Sequence, residues 1–233
     1  MNQPDDIPSL PLGVMGRTLD PVQSPSLADS VLSELRRAII NGKLPPGERL
    51  IEAVLADQLQ VSRSTIRQAF LQLRFEGLVD MRPRRGAVVT RMSSRAARDV
   101  CTVRGLLEGW AARNACVTLT NSQLESMRAL GRRMGECLDG GDIYEVVELD
   151  IAFHSFICQS DDNIRLHEYW QALNALHGAL MSSRLAYYNY DPVTVIRLHD
   201  DLCSVLATRD PEAAEQAVRL HYLGTRWEDE EDH

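Results

Sequence analysis

The sequence predicts a mostly α protein: three N-terminal helices with a small β-hairpin, then an all-α antiparallel helical bundle. Three observations carry this. Two short amphipathic patterns, residues 51–60 and the one opening after Ser62, are separated only by Val61-Ser62. Two short apolar runs, residues 77–81 and 87–90, flank the basic turn Arg82-Pro83-Arg84-Arg85-Gly86. Beyond Thr90 the apolar residues follow helical spacing, and no alternating strand pattern survives.

Residues 27–41 form the first amphipathic pattern, with Ser26 as its cap. Gly42 and the turn Pro45-Pro46-Gly47 end it. In the helix after Ser62, residues Ile66, Ala69, Phe70 and Leu73 recur at core spacing. Arg63, Ser64, Thr65 and Arg67 stand in or near the first turn, away from that face. Ser62 supplies an N-cap, since its hydroxyl can accept from an orphan backbone N–H. Taken alone, this helix is either a solvated surface helix or one whose N-terminal residues meet base edges and phosphates. The tight helix–turn–helix spacing before it and the basic hairpin after it favour the second reading. Together they make a winged helix-turn-helix, whose wing brings Arg84, Arg85 and Gly86 toward phosphates or a minor groove.

Charge divides along the same line. The 233 residues carry 25 Lys+Arg against 33 Asp+Glu, a net of −8, which excludes a protein that coats nucleic acid non-specifically. Residues 62–91, however, hold seven arginines against Glu76 and Asp80, whereas residues 92–233 hold 13 arginines and 23 acids. A small basic head on an acidic body suits site-specific binding to double-stranded DNA. A reading head of this size touches few base pairs, so a homodimer on a near-palindromic operator is expected.

The length allows one or two domains, and a 44% hydrophobic content is that of a globular chain. No run approaches the ~20 apolar residues of a membrane span, and the first residues lack a basic-then-apolar signal pattern. The five cysteines are scattered without a CxxC, which points to reduced core thiols and a cytoplasmic protein. The organisation expected is a flexible tail over 1–25, which holds five of the ten prolines, a head over 26–91, a bundle over 92–228 and an acidic end over 229–233. Bundle helices are expected near 94–116, 122–138, 143–158, 163–188, 193–207 and 211–227. Their breaks are Thr120-Asn121, Gly140-Gly141-Asp142, Asp191-Pro192 and Asp210-Pro211. Gly105 and Gly109 on the first of them would let a neighbouring helix approach closely.

Chemistry gathers in the bundle. Asp150 and His154 stand four residues apart and share a helix face; His199 and His221 lie on the last two helices. Converging in the core, the four would suit zinc, nickel or another borderline divalent ion. Hydrogen-bonded structural histidines are the alternative that spacing leaves open. His167 and His177 have no motif around them and read as surface or core residues.

Two stretches carry a family resemblance. Gly42-Lys43-Leu44-Pro45-Pro46-Gly47-Glu48-Arg49-Leu50, Leu55-Ala56, Val61-Ser62-Arg63-Ser64-Thr65-Ile66-Arg67, Leu73, Gly77-Leu78 and Arg84-Arg85-Gly86 resemble, in order and spacing, the DNA-binding domain of GntR-type bacterial regulators. The resemblance implies DNA contacts at Arg63, Ser64, Thr65 and Arg67, with Gly86 at the wing tip. Ala53 stands where some members carry an arginine. Asp150-Ile151-Ala152-Phe153-His154, His199 and His221-Tyr222-Leu223 resemble the FCD ligand-binding domain of the FadR-like subfamily. That likeness implies a divalent metal ion (zinc, with nickel or manganese as alternatives) on Asp150, His154, His199 and His221. It also implies a small organic-acid effector held with the metal's help and no catalysis.

Arg104 and Glu108 match the family's R-x-x-x-E, and Arg104 is the leading partner for an effector carboxylate. An internal Arg104–Glu108 pair is the alternative. Asn174 and Arg184 are further pocket positions. Two other functions compete: a metal-dependent hydrolase, for which no HExxH-type motif occurs, and a regulator whose bundle only dimerises.

Overall fold

The computed structural model describes residues 27–82, 86–188 and 191–223. The N-terminal unit contains α1 (Leu27–Ile40), β1 (Arg49–Leu50), α2 (Glu52–Gln58), α3 (Arg63–Phe75), β2 (Val79–Arg82) and β3 (Gly86–Val89). Val31, Leu35 and Ile39 of α1 close over Ile66, Ala69, Phe70 and Leu73 of α3, with Leu55 and Ala56 of α2 beneath. Arg36 ties α1 to the end of α3 through two hydrogen bonds to Glu76, at 2.9 and 2.6 Å. The three strands order β1-β3-β2, all antiparallel, with Arg82 paired to Gly86 at the hairpin end.

Several boundaries differ from the sequence expectation for local reasons. α2 is shorter than residues 51–60 because Gln60 enters the left-handed region at φ 53° and turns the chain toward α3. Its side-chain amide donates to the Asp57 carbonyl at 2.6 Å, which supports that turn. Gly77, at φ 77°, ends α3 instead of opening a strand, so β2 begins at Val79. β1 was not expected, since two residues cannot show an alternating pattern. The Ser26 cap, the tail over 1–25, wing residues Arg84 and Arg85, and the acidic end all lie outside the described residues.

The bundle comprises α4 (Ser94–Thr118), α5 (Asn121–Asp139), α6 (Ile143–Cys158), α7 (Ile164–Tyr188), α8 (Pro192–Ala207) and α9 (Pro211–Leu223). Side-chain caps start all six: Ser93, Thr120 within a capping box with Gln123, Asp142, Asn163, Asp191 ahead of Pro192, and Asp210 ahead of Pro211. α9 packs against α4 over Gly105 and Gly109, where a Cβ at Gly109 would meet Arg219 Cγ at 2.8 Å. Arg209 donates to the Cys116 and Leu119 carbonyls at 2.7 and 2.6 Å, holding the end of α8 to the last turn of α4. Buried Met127, Met134, Phe153, Ile157, Trp170 and Leu206 fill the centre. The five cysteines are free thiols. No described helix is long and apolar enough to cross a membrane.

α7 touches both cores. Leu166, Trp170, Leu180 and Leu185 belong to the bundle interior, whereas Ala175 and Ala179 pack on the head. Ser182 donates to the Ile40 carbonyl at the end of α1, and the Arg37 guanidinium sits 5.0 Å from the centre of the Tyr144 ring.

Candidate functional site

Ser62 caps α3, accepting from the Thr65 N–H at 3.2 Å, while its hydroxyl also meets those of Ser64 at 2.6 Å and Thr65 at 2.8 Å. Arg63, Ser64 and Arg67 are exposed and Thr65 half-exposed, opposite the face buried by Ile66, Ala69, Phe70 and Leu73. Free helix N–H groups, hydroxyls and two guanidinium groups thus face solvent together. Arg67 is not idle: Nε and a terminal nitrogen donate to Glu52 at 3.1 and 2.7 Å. That pair raises the arginine and lowers the Glu52 carboxyl, mainly through the hydrogen bond between them. It fixes where the guanidinium stands at the mouth of α2 and α3. Gly86 is exposed at the start of β3 with φ 74°.

In the bundle, α6, α8 and α9 bring one nitrogen each from His154, His199 and His221 within 4.8 Å of one another. Asp150, one turn before His154, joins them. Its Oδ1 lies 3.2 Å from His199 Nε2 and 3.7 Å from His154 Nε2. The outward nitrogens fix the tautomers. His199 Nδ1 is 2.8 Å from the Val195 carbonyl, which can only accept, so Nδ1 carries hydrogen. His154 Nδ1 lies 2.6 Å from Glu108 Oε2, which places hydrogen there too. In neutral rings both Nε2 atoms then present lone pairs toward a carboxylate. His154 Nε2 is buried and has no hydrogen-bond partner among the described residues. His221 is pushed well below the usual histidine range, first by desolvation and then by charge on His154 and His199, whereas at His154 burial is outweighed by Glu108 and Asp150, which raise it. With Nε2 deprotonated, His154 and His199, backed by a carboxylate and a carbonyl, offer the donor chemistry of a divalent-metal site. The residues present fit such an ion.

Around the cluster lies a second layer. Glu108 Oε1 accepts from Trp170 Nε1 at 2.6 Å and the Tyr222 hydroxyl at 2.7 Å, and pairs with Arg104 at 2.8 Å. Burial pushes the Glu108 carboxyl up, but His154, Arg104 and these hydrogen bonds outweigh it and hold it at about 2. Asp150 is likewise held well below the carboxylate range, burial being outweighed by His154, His177 and His199. A cavity of about 100 Å³ opens beside the histidines, bordered by Asp150, His199, His221, Arg184 and apolar residues of α7 and α8.

The structure brings together Asp150, His154, His199 and His221, and it places Arg184 on the cavity. Arg104 stands elsewhere. It is fully buried, pairs with Glu108, and donates to Asn174 Oδ1 at 2.6 Å and to the Tyr222 hydroxyl at 3.3 Å. It does not border the cavity, and neither does Asn174. The internal pair that the R-x-x-x-E spacing allowed is thus the one formed. His177, discounted in the sequence, lines the cavity and meets Asp150 Oδ2 at 3.3 Å. A signal for it existed: Asn174, His177 and Arg184 fall three and seven residues apart on one helix face. His167 is half-buried and stacks on Trp170, 5.7 Å between ring centres.

Comparison with known proteins agrees with both halves. Residues 27–89 match the model of bacterial regulatory proteins of the gntR family, and residues 99–224 match the FCD domain. The HTH-type transcriptional repressor RspR of Escherichia coli (strain K12) is 29% identical over 191 residues, covering 80% of this chain and 82% of that protein. The galactonate operon transcriptional repressor of the same strain is 26% identical over 210 residues, covering 82% and 91%. A GntR regulator from Rhodococcus sp. RHA1 shares the fold, with a TM-score of 0.71 at 24% identity over 84% of this chain and 94% of that one. On this ground the chain belongs to the GntR family of bacterial regulatory proteins with a C-terminal FCD domain, and is a transcriptional regulator rather than an enzyme.

Proposed function

We propose that this regulator reads a near-palindromic operator as a homodimer and that its bundle senses a small organic acid with the help of a divalent metal ion, zinc in the first instance. The observation that carries the reading is the convergence of one nitrogen each from His154, His199 and His221, with Asp150 beside His154 and His199 and His154 Nε2 without a hydrogen-bond partner among the described residues. Asp150, His154, His199 and His221 would hold the ion. Bound there, it supplies a positive centre for a carboxylate. Glu108 and the Val195 carbonyl keep the hydrogens of His154 and His199 on the outward nitrogens. Arg184 is the guanidinium that borders the cavity, and Arg104 and Asn174 serve the network that holds Glu108. One relative is a repressor of a galactonate operon, and galactonate is an organic acid.

For the head, Arg63, Ser64, Thr65 and Arg67 would face bases and phosphates, with Gly86 and the basic turn at Arg84-Arg85 on the flanking backbone. An apolar stripe along α4 supports the dimer. Val103, Leu106, Trp110 and Val117 share one face and are each about half exposed. A purely dimerising bundle would use the same stripe but leave the histidine lone pairs without a purpose. The test is operator binding by fluorescence anisotropy on metal-loaded and metal-stripped protein, with and without carboxylates. The proposal requires that some carboxylate change operator affinity only when metal is present. Constant affinity throughout would reduce the bundle to a dimerisation block.

A further inference from the structure

We infer that His177 is a positioning residue of the metal centre: it donates from Nε2 to Asp150 Oδ2 and so leaves Oδ1 as the oxygen that faces the ion. The inference rests on reading Asp150, His154, His199 and His221 as the ligands of that ion, and it concerns an imidazole outside that set.

Asp150 turns its two oxygens to different partners. Oδ1 lies 3.2 Å from His199 Nε2 and 3.7 Å from His154 Nε2. Oδ2 lies 3.3 Å from His177 Nε2, which α7 brings to it from across the bundle. The carboxylate is held ionised, so it only accepts, and His177 Nε2 carries the hydrogen. That is the opposite tautomer from His154 and His199, whose hydrogens sit on Nδ1. With its hydrogen there, His177 Nε2 has no lone pair for an ion and serves the carboxylate instead.

The rest of the ring supports this role. His177 Nδ1 is buried and has no hydrogen-bond partner among the described residues. Burying a polar nitrogen in that way costs stability, so packing alone does not explain an imidazole at this position; a leucine would fill the space without the cost. The ring also stands edge-on to Tyr222, 5.6 Å between centres. The Tyr222 hydroxyl in turn donates at 2.7 Å to Glu108, the carboxylate behind His154. One frame therefore orients His154 through Glu108 and Asp150 through His177. Without the bond from His177, the Asp150 carboxylate keeps only its contacts to the ligand histidines among the described residues. Its terminal torsion is a broad one, so Oδ1 is then poorly held toward the ion.

The experiment is the zinc affinity of full-length, metal-stripped protein, measured by competition with a chromophoric chelator. Zinc alone is the probe, so that a contact between His177 and a ligand in the cavity does not enter. His177→Leu removes the donor, and its zinc affinity is expected to fall about 10- to 100-fold. His177→Gln keeps an N–H at similar reach and should stay within about threefold of the parent. His177→Asn carries the same amide one methylene short and should be as weak as His177→Leu. Melting curves of the metal-free proteins show which variants fold, and the comparison of His177→Gln with His177→Asn decides the matter if the leucine variant does not. Zinc affinity in His177→Leu within about threefold of the parent, or equal affinities in the glutamine and asparagine variants, would overturn the inference while leaving the metal centre intact. A parent protein that binds no zinc would remove the metal centre, and the inference with it.

Discussion

Leu176 and His177 are neighbours on α7 that serve opposite sides of the molecule. His177 Nε2 lies 3.3 Å from Asp150 Oδ2 in the histidine cluster, while the Leu176 side chain abuts Gly77 of the head, where an added Cβ would meet Leu176 Cδ1 at 3.3 Å. α7 thus has one edge on the histidine cluster and the other on the head. If the proposed ligand shifts Asp150 or His177, α7 would carry that shift to the seat of the head. For such a shift to matter, the ligand must favour one seating over another. Leu176→Ala should leave carboxylate affinity within about threefold, because it does not border the cavity. It should flatten the ligand's influence on operator affinity, which for a coupling of ~1–3 kcal/mol is ~5–150-fold in the parent. Anisotropy titrations on both proteins check this; an undiminished response would remove α7 from the route.

The recognition helix makes a separate prediction. Arg63→Ala and Arg67→Ala should each weaken specific operator binding by about 10- to 100-fold, with little change on scrambled DNA, if each loses a base contact. Arg67 leans on Glu52 in the free protein, so it arrives oriented and loses little side-chain freedom on binding. Competition titrations against operator and scrambled duplex are the measurement. Full operator affinity in both variants would mean that another face of the head reads DNA.

Two arginines that looked alike in the sequence should behave differently. Arg104 is buried against Glu108, Trp170 and Tyr222, so Arg104→Met strands a buried carboxylate and should cost about 3–5 kcal/mol of stability. Arg184, on the cavity, should behave the other way. Arg184→Met is expected to weaken carboxylate binding and to cost less stability than Arg104→Met. Thermal melts and calorimetry on the two variants separate the roles. Unchanged stability in Arg104→Met, or unchanged ligand affinity in Arg184→Met, would reverse the assignment.

The exposed stripe on α4 predicts the assembly. Trp110, at 58% exposure, stands near its middle, with Val103, Leu106 and Val117 along the same face. Trp110→Glu should shift the protein from dimer to monomer by light scattering, and weaken binding to a full operator far more than to a half-site. A dimer that survives the substitution would place the interface elsewhere.

What was legible in the sequence follows from how each feature is encoded. α6 appears over the expected residues, 143–158, because Asp142 caps it and Gly140-Gly141 isolates it. The helix-turn-helix and the clustering of His154, His199 and His221 were legible for the same reason, being written in local spacing and in family motifs. β1 was not, since its pairing partner Val88 lies far along the chain and two residues carry no period. The surroundings of Arg104 and His177 were not legible because they depend on tertiary neighbours. An R-x-x-x-E spacing serves an internal pair and a ligand contact equally well, and only the packing of Trp170 and Tyr222 onto Glu108 decides between them. His177 lacks any neighbouring motif, yet α7 turns it toward Asp150 on another helix.

The central claim is that the histidine cluster is a metal centre, and elemental analysis of full-length protein purified without chelators tests it most directly. The account predicts a single divalent ion per chain in the parent and loss of that ion in the His199→Ala, His221→Ala double variant. Acid should release the ion as well, because protons compete for the imidazole lone pairs. Stripping should lower the melting temperature, since an ion present at 100 times its dissociation constant stabilises the fold by about 2.7 kcal/mol. A parent protein without stoichiometric metal, or a double variant with occupancy unchanged, would contradict the account.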